Sequence, residues 1–172
     1  MTSELISERS LTAAAADIRQ AATESDHAQT WLARADPRRM PPLAAEVWVF
    51  DEELTHLLLI RHRWRGLVPP GGTVEPSETP REGAHRELFE ETGLRLTLLP
   101  GVAAATVRSY RSGWAPTLGL AYTAVTSRST PLNPEPGQPT VWTSLAEDWA
   151  TAFPEDSARV RAYAAALASR PL

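Results

Sequence analysis

The chain has 172 residues, 42% of them hydrophobic, enough for one domain with a sizeable core. It has no cysteine, which excludes disulfides, a thiolate metal site and a cysteine nucleophile. Its net charge is −4 with no basic block, which argues against nucleic acid as a main partner. All 17 basic residues are Arg, a side chain suited to bidentate phosphate contacts. No apolar run approaches membrane-spanning length and no signal-peptide pattern opens the chain, so no membrane partner and a cytoplasmic location are expected.

Residues 1 to 41 form an N-terminal helical extension. Leu11, Ala14, Ala15, Ile18, Ala21 and Ala22 follow helical spacing. A second short helix is expected over His27–Ala35, with Asp26 as cap and Trp31 and Leu32 on its apolar face. Asp36-Pro37 ends it, and Arg38 to Pro42 reads as a linker. This segment is expected either to pack on the domain or a sister subunit, or to roof a substrate cleft.

From residue 42 the period changes. Strands are predicted over Ala44–Asp51 and His56–Arg61, joined by the acidic turn Asp51-Glu52-Glu53. The run Leu57-Leu58-Leu59-Ile60 suits a strand buried on both faces. Arg61, Arg63 and Arg65 follow at a spacing of two, so on an extended chain they point the same way and would clamp phosphate oxygens. The bend Pro69-Pro70-Gly71-Gly72 comes next. Thr79, Pro80 and Glu82 then spell a helix start, and Gly93 a stop, giving a helix over Pro80–Thr92.

On that helix Glu87, Glu90 and Glu91 stand at i, i+3 and i+4, so their carboxylates share one face. Like charges so placed repel by roughly 0.2–0.5 kcal/mol per pair. A divalent cation turns that repulsion into attraction, and hard oxygen ligands suit Mg2+. Ala84 and Leu88 supply the buried stripe. Arg86 can pair with Glu90, four residues on, or with Glu82, four residues back. Beyond the helix, strands are predicted at Leu96–Leu99, Val102–Arg111, Pro116–Thr126 and Thr140–Thr143, and helices at Leu145–Thr151 and Asp156–Ala168. Strands mixed with helices in this order fit an α/β/α sandwich around a mixed sheet.

Residues 72–94 fit the pattern G-x5-E-x7-R-E-U-x-E-E-x-G-U at Gly72, Glu78, Arg86, Glu87, Leu88, Glu90, Glu91, Gly93 and Leu94, with U aliphatic. Chance would give this on the order of one chain in ten million. The pattern is the Nudix box, and the segment 42–172 resembles a Nudix hydrolase domain of the MutT-like branch. The resemblance implies that fold, a nucleotide substrate, and Mg2+ (or Mn2+ in its place) held by Glu87, Glu90, Glu91 and the Gly72 carbonyl. It implies that Arg86 orients Glu90 and that an Arg at the position of Arg61 contacts the nucleotide. Ser77 departs from the Gly common at that place. Many relatives add a carboxylate from a later loop. Glu135 is the first acid after Glu91, in a segment similar to the MutT-like E-G-Q-P and W-x-S-L stretch with Pro136 intervening. Glu90, Glu91 or Glu135 is then the group that takes the proton from water. Asp156, after Phe153-Pro154, is placed either to meet a purine edge or to cap the last helix. Trp64, Trp114 and Trp142 offer stacking surfaces or core.

A Tyr at the position of Tyr110 is a weak mark of dinucleoside polyphosphate hydrolases. The implied reaction is hydrolysis of a nucleoside triphosphate, oxidised ones included, to monophosphate and pyrophosphate. Dinucleoside polyphosphates, ADP-ribose and nucleotide sugars are the alternatives. A catalytically silent nucleotide sensor or scaffold is the remaining class, and such relatives lose box carboxylates or add a DNA-binding domain. A homodimer is common among them.

Overall fold

The computed structural model describes residues 4–170. Four helices and eight strands follow one another as α1 (Glu8–Gln20), β1 (Ala21–Glu24), α2 (Ala28–Arg34), β2 (Ala44–Phe50), β3 (His56–His62), β4 (Gly66–Val68), β5 (Gly71–Thr73), α3 (Pro80–Thr92), β6 (Val102–Arg108), β7 (Thr117–Val125), β8 (Thr140–Ser144) and α4 (Asp156–Ala168). The strands form one mixed sheet ordered β1-β6-β7-β2-β3-β4, with β5 also pairing β2 and β8 also pairing β3. The β1–β6 and β2–β7 pairs are parallel and the others antiparallel.

Both faces of the sheet are covered, as the apolar patterning predicts. Alternating residues of β2 divide between two cores. Ala45, Val47 and Val49 pack with Ala14 and Ile18 of α1, Ala28 of α2 and Ala84 and Leu88 of α3. Trp48 and Phe50 pack with Val160, Tyr163 and Ala164 of α4. Strand β3 does the same, Leu58 facing one core and Leu57 and Leu59 the other, all fully buried. The result is the α/β/α sandwich expected from the order of elements. Among the described residues no helix is long and apolar enough to cross a membrane.

Several local expectations are corrected. Ala21 and Ala22 do not extend α1. The chain leaves the helix at Gln20 and becomes β1, because the outer backbone edge of β6 takes it as a partner, Ala21 opposite Val102 and Thr23 opposite Ala104. Asp26 does not cap α2. His27 holds the cap position in a left-handed conformation, and Glu24 Oε1 accepts the Gln29 N–H at 2.8 Å. Leu96–Leu99 is irregular; Leu98 is buried and Leu99 gives its N–H to Thr123, but Pro100 has no N–H to continue a ladder. Leu145–Thr151 is not a helix. Leu145 bonds Thr55, Ala150 accepts from Leu67, and Thr151 bridges Gly66, so the β3–β4 hairpin draws the segment out. The bend before the acidic helix is itself a strand, β5, whose Gly71 and Gly72 lie opposite Glu46 and Ala45.

The N-terminal segment packs as cover. α1 lies against α3 and the β6–β7 face. Among the described residues up to 42, only Pro41 and Pro42 line the main cleft.

Candidate active site

Helix α3 forms as its sequence dictates. Thr79 Oγ1 accepts the Glu82 N–H at 3.2 Å, and Glu82 Oε2 accepts the Thr79 N–H at 2.8 Å. This reciprocal cap satisfies two donors left free at any helix start. Pro80 takes the first turn, and Gly93 closes the helix at φ 74° with its N–H on the Phe89 carbonyl. Ala84 and Leu88 are fully buried, which fixes the rotation of the helix and therefore the direction of its acidic face. Burying Leu88 contributes about 2 kcal/mol.

Arg86 organises that face. Its Nε donates to Glu78 Oε1 at 2.6 Å and its Nη2 to Glu78 Oε2 at 3.0 Å, a two-pronged pair; Nη2 also reaches the Thr73 carbonyl at 2.9 Å. Its Nη1 meets Glu87 Oε1 at 2.8 Å and Glu90 Oε2 at 3.3 Å. The pairing with Glu90 is thus present, while Glu82 turns to Arg9 on α1. The contact with Glu78 holds that carboxyl below its usual range.

Strand β5 lies against this cluster. Gly71 donates its N–H to Glu91 Oε2 at 2.9 Å. A Cβ on Gly72 would stand 2.5 Å from the Glu87 carboxyl carbon, so any side chain there displaces that carboxylate. Burial pushes Glu91 up to about 8; the Gly71 N–H opposes this, and the charges of Glu87 and Glu135 add to it. Burial also raises Glu87, with Arg86 opposing. Crowded, partly desolvated carboxylates suit a divalent cation, which relieves their repulsion. Among the described residues no three acidic or imidazole groups close into a ready cage.

Glu135 is brought to the same place. Its N–H meets the Glu91 carbonyl at 3.3 Å, Asn133 bonds the Thr92 carbonyl, and the Glu135 carboxyl accepts from Gln138 Nε2 at 3.0 Å. The loop therefore caps the end of α3 with Glu135 exposed beside the acidic face.

A cleft of about 580 Å3 opens from Glu91, Gly71 and Gly72 over Glu46 and Arg65 to Tyr110, Trp114 and Phe153. That is room for a nucleotide. The three arginines part company here. Strand β3 ends at His62 and the chain turns, so Arg61 and Arg63 are exposed outside the cleft while Arg65 lines it, stacked over Tyr110 at 5.9 Å. Arg63 lies over Trp64 instead. Asp156 is buried and takes both nitrogens of Arg108, at 2.9 and 3.1 Å, beneath the cleft wall. Glu155 rather than Asp156 stands at the cap position of α4. Trp114 lines the cleft, Trp64 is exposed beside it, and Trp142 packs against the core.

Sequence reasoning missed Glu46, a carboxyl on the cleft floor. Burial pushes it up to about 7, with Asp156 adding and Arg108 opposing. Its signal was there to be seen: one acid interrupting the apolar run Leu43–Phe50.

Fold and site define a class, an α/β/α sandwich whose glutamate-rich helix lies beneath a double-glycine strand. The chain belongs to the Nudix family, and the NUDIX domain profile matches residues 40–162. Over 53 residues the chain is 47% identical to a Bacillus subtilis (strain 168) protein that carries the provisional name 8-oxo-dGTP diphosphatase YtkD. The match takes in 31% of this chain and 34% of that protein, so the chain spans about a third of the curated relative it matches. In structure it is similar to a NUDIX family hydrolase from Clostridium perfringens (TM-score 0.61, 19% identity, 73% of this chain and 97% of that one). It is similar also to an Ap4A hydrolase of C. elegans in a binary complex (TM-score 0.62, 22% identity, 76% of this chain and 100% of that one).

Proposed function

We propose that the chain hydrolyses a phosphoanhydride bond of a nucleoside triphosphate, oxidised ones included, to monophosphate and pyrophosphate. Mg2+ would serve as cofactor, with Mn2+ able to replace it. The observation that carries this reading is the position of Glu91. It is half-buried under the Gly71 N–H and beside Glu87, where the acidic helix opens into a nucleotide-sized cleft.

Glu87, Glu90 and Glu91 with the Gly72 carbonyl would hold the metal, which supplies charge neutralisation on diphosphate oxygens and a more acidic water. Arg86 fixes Glu87 and Glu90 before substrate arrives, so little reorganisation is left for the reaction. Arg65, a cation in the cleft wall, is placed to meet phosphate oxygens. Glu90, Glu91 and Glu135 stand around the same spot, and one of them accepts the proton of the attacking water. Phosphoryl transfer asks mainly for positioning and charge neutralisation, which this arrangement provides.

The 8-oxo-dGTP diphosphatase name of the Bacillus relative supports triphosphates as the substrate class. A dinucleoside polyphosphate is the second reading. Trp114, exposed at the cleft rim with Arg111 over it at 5.6 Å, offers a platform for a second base. Metal-dependent release of pyrophosphate from a nucleotide panel tests both. Pyrophosphate from triphosphates supports the first; cleavage restricted to dinucleoside polyphosphates replaces it with the second.

A further inference from the structure

The floor of the cleft is built without the acidic helix. Glu46 projects from β2 on the face of Trp48 and lines the cleft with Ile60, His62, Arg65 and Tyr110. Gly71 packs directly against it; a Cβ there would stand 2.7 Å from the Glu46 Cβ. Trp48 Nε1 donates to Glu46 Oε1 at 2.8 Å, and among the described residues nothing bonds Oε2. The neighbouring Arg108 is taken up by Asp156 and does not bond Glu46, which leaves Glu46 as an acceptor on the cavity floor, apart from Glu91 at the helix end. Above it stands an aromatic wall. Tyr110 and Phe153 meet edge to face at 5.8 Å, and Gly119 makes room for the Tyr110 hydroxyl, since a Cβ there would lie 1.8 Å from it.

We propose that Glu46 reads the edge of the nucleobase and selects guanine-type bases, its carboxylate accepting the ring N–H and the adjacent amino group while Tyr110, Phe153 and Trp114 contact the ring. The proposal rests on the nucleotide reading above and names its base. A carboxylate only accepts hydrogen bonds. Guanine presents two donors side by side. Adenine and cytosine place a lone pair beside their amino group, which would face the carboxylate, and uracil offers a single N–H. Burial strips water from Glu46, and two base donors replace what water gave. Burial and the charge of Asp156 raise the Glu46 carboxyl, with Arg108, Trp48 and Arg65 opposing, and hydrogen bonds received from the base favour its charged form.

The experiment measures binding of non-hydrolysable guanosine, inosine and adenosine triphosphate analogues with Mg2+ by calorimetry, alongside kcat/KM for the hydrolysable three. In the wild type, guanosine should exceed adenosine by about tenfold to a hundredfold. Inosine, which lacks the amino group, should fall between them. Glu46→Gln keeps an oxygen for Trp48 and presents an amide donor to the base, so the guanosine-to-adenosine ratio should fall to near one. A flat ranking in the wild type, no binding of any of the three, or an equal loss for all bases in Glu46→Gln overturns the proposal. A guanosine preference in binding without hydrolysis of any triphosphate sinks the triphosphate reading and leaves Glu46 as the base reader. The inosine comparison needs no variant and stands even where Glu46→Gln fails to fold.

Discussion

Gly72 and Glu87 touch so closely that a methyl group on the glycine would sit 2.5 Å from the carboxyl carbon of the glutamate. The backbone of Gly72 lies opposite Ala45 in the sheet, so the strand cannot retreat without breaking that pairing. The glutamate must move instead. Gly72→Ala should leave the circular dichroism spectrum unchanged and lower turnover about a hundredfold, the scale expected when a reacting group shifts by an ångström. Unchanged turnover would show that Glu87 has no part in the reaction.

Glu91→Gln keeps an oxygen for the Gly71 N–H, so the local structure should survive. It removes a negative charge from the proposed metal site, a loss worth several kcal/mol in the transition state. Turnover in Mg2+ should fall about a thousandfold or more, and Glu90→Gln should act in the same direction. Full activity in both variants, measured by pyrophosphate release, would falsify the metal assignment.

Arg86 bonds Glu78, Glu87, Glu90 and the Thr73 carbonyl with one planar group. Lysine keeps the charge but not the fork. Arg86→Lys should cost about 2–3 kcal/mol of stability, because three carboxylates lose their shared partner. That lowers the melting temperature by roughly 5–10 °C. A shift of a degree or less in differential scanning calorimetry would show that the carboxylates are held by something else.

Glu82 closes the cap of α3 and also pairs with Arg9 of α1, and the Arg9 contact, with the Thr79 N–H, lowers its carboxyl to about 2. A carboxyl lowered on folding stabilises the folded form fully above its ordinary value of 4.5, and that contribution drains away as pH falls from 4.5 towards 2. Both side chains are exposed, so the effect should be modest and salt-sensitive. Hydrogen exchange of the α1 amides should rise across this window. Arg9→Ala should flatten that rise, since it returns the Glu82 carboxyl towards its ordinary value. Protection that stays level down to pH 2 in the wild type would deny the pair any role in docking α1.

The acidic helix was legible residue by residue because its limits are local: a Thr cap, Pro in the first turn and a Gly stop are satisfied within the segment itself. The strands of the central sheet were legible from apolar runs that two cores demand. What escaped was decided by partners distant in sequence. Ala21 and Ala22, read as helix, became part of β1 because β6 offered an edge, and 145–151 unwound because the β3–β4 hairpin recruited its backbone. The same division runs through the site. Spacing on one helix placed Glu87, Glu90 and Glu91 together, whereas Arg61, Arg63 and Arg65 were separated by a turn that their spacing does not reveal. Asp156 found Arg108, forty-eight positions away, and Glu46 came to the cleft only through the pairing of β2 with β5.

Strand β1 is short, yet it hems the sheet: Ala21, Thr23 and Glu24 run alongside β6, and Ser25 adds its N–H to the Ala105 carbonyl. A shortened protein starting where the family match begins, at residue 40, would bare a row of unsatisfied amides and carbonyls along β6. Such a raw border invites self-association, so the leading forty residues should govern how concentrated the protein can become before it clumps, whatever they contribute to turnover.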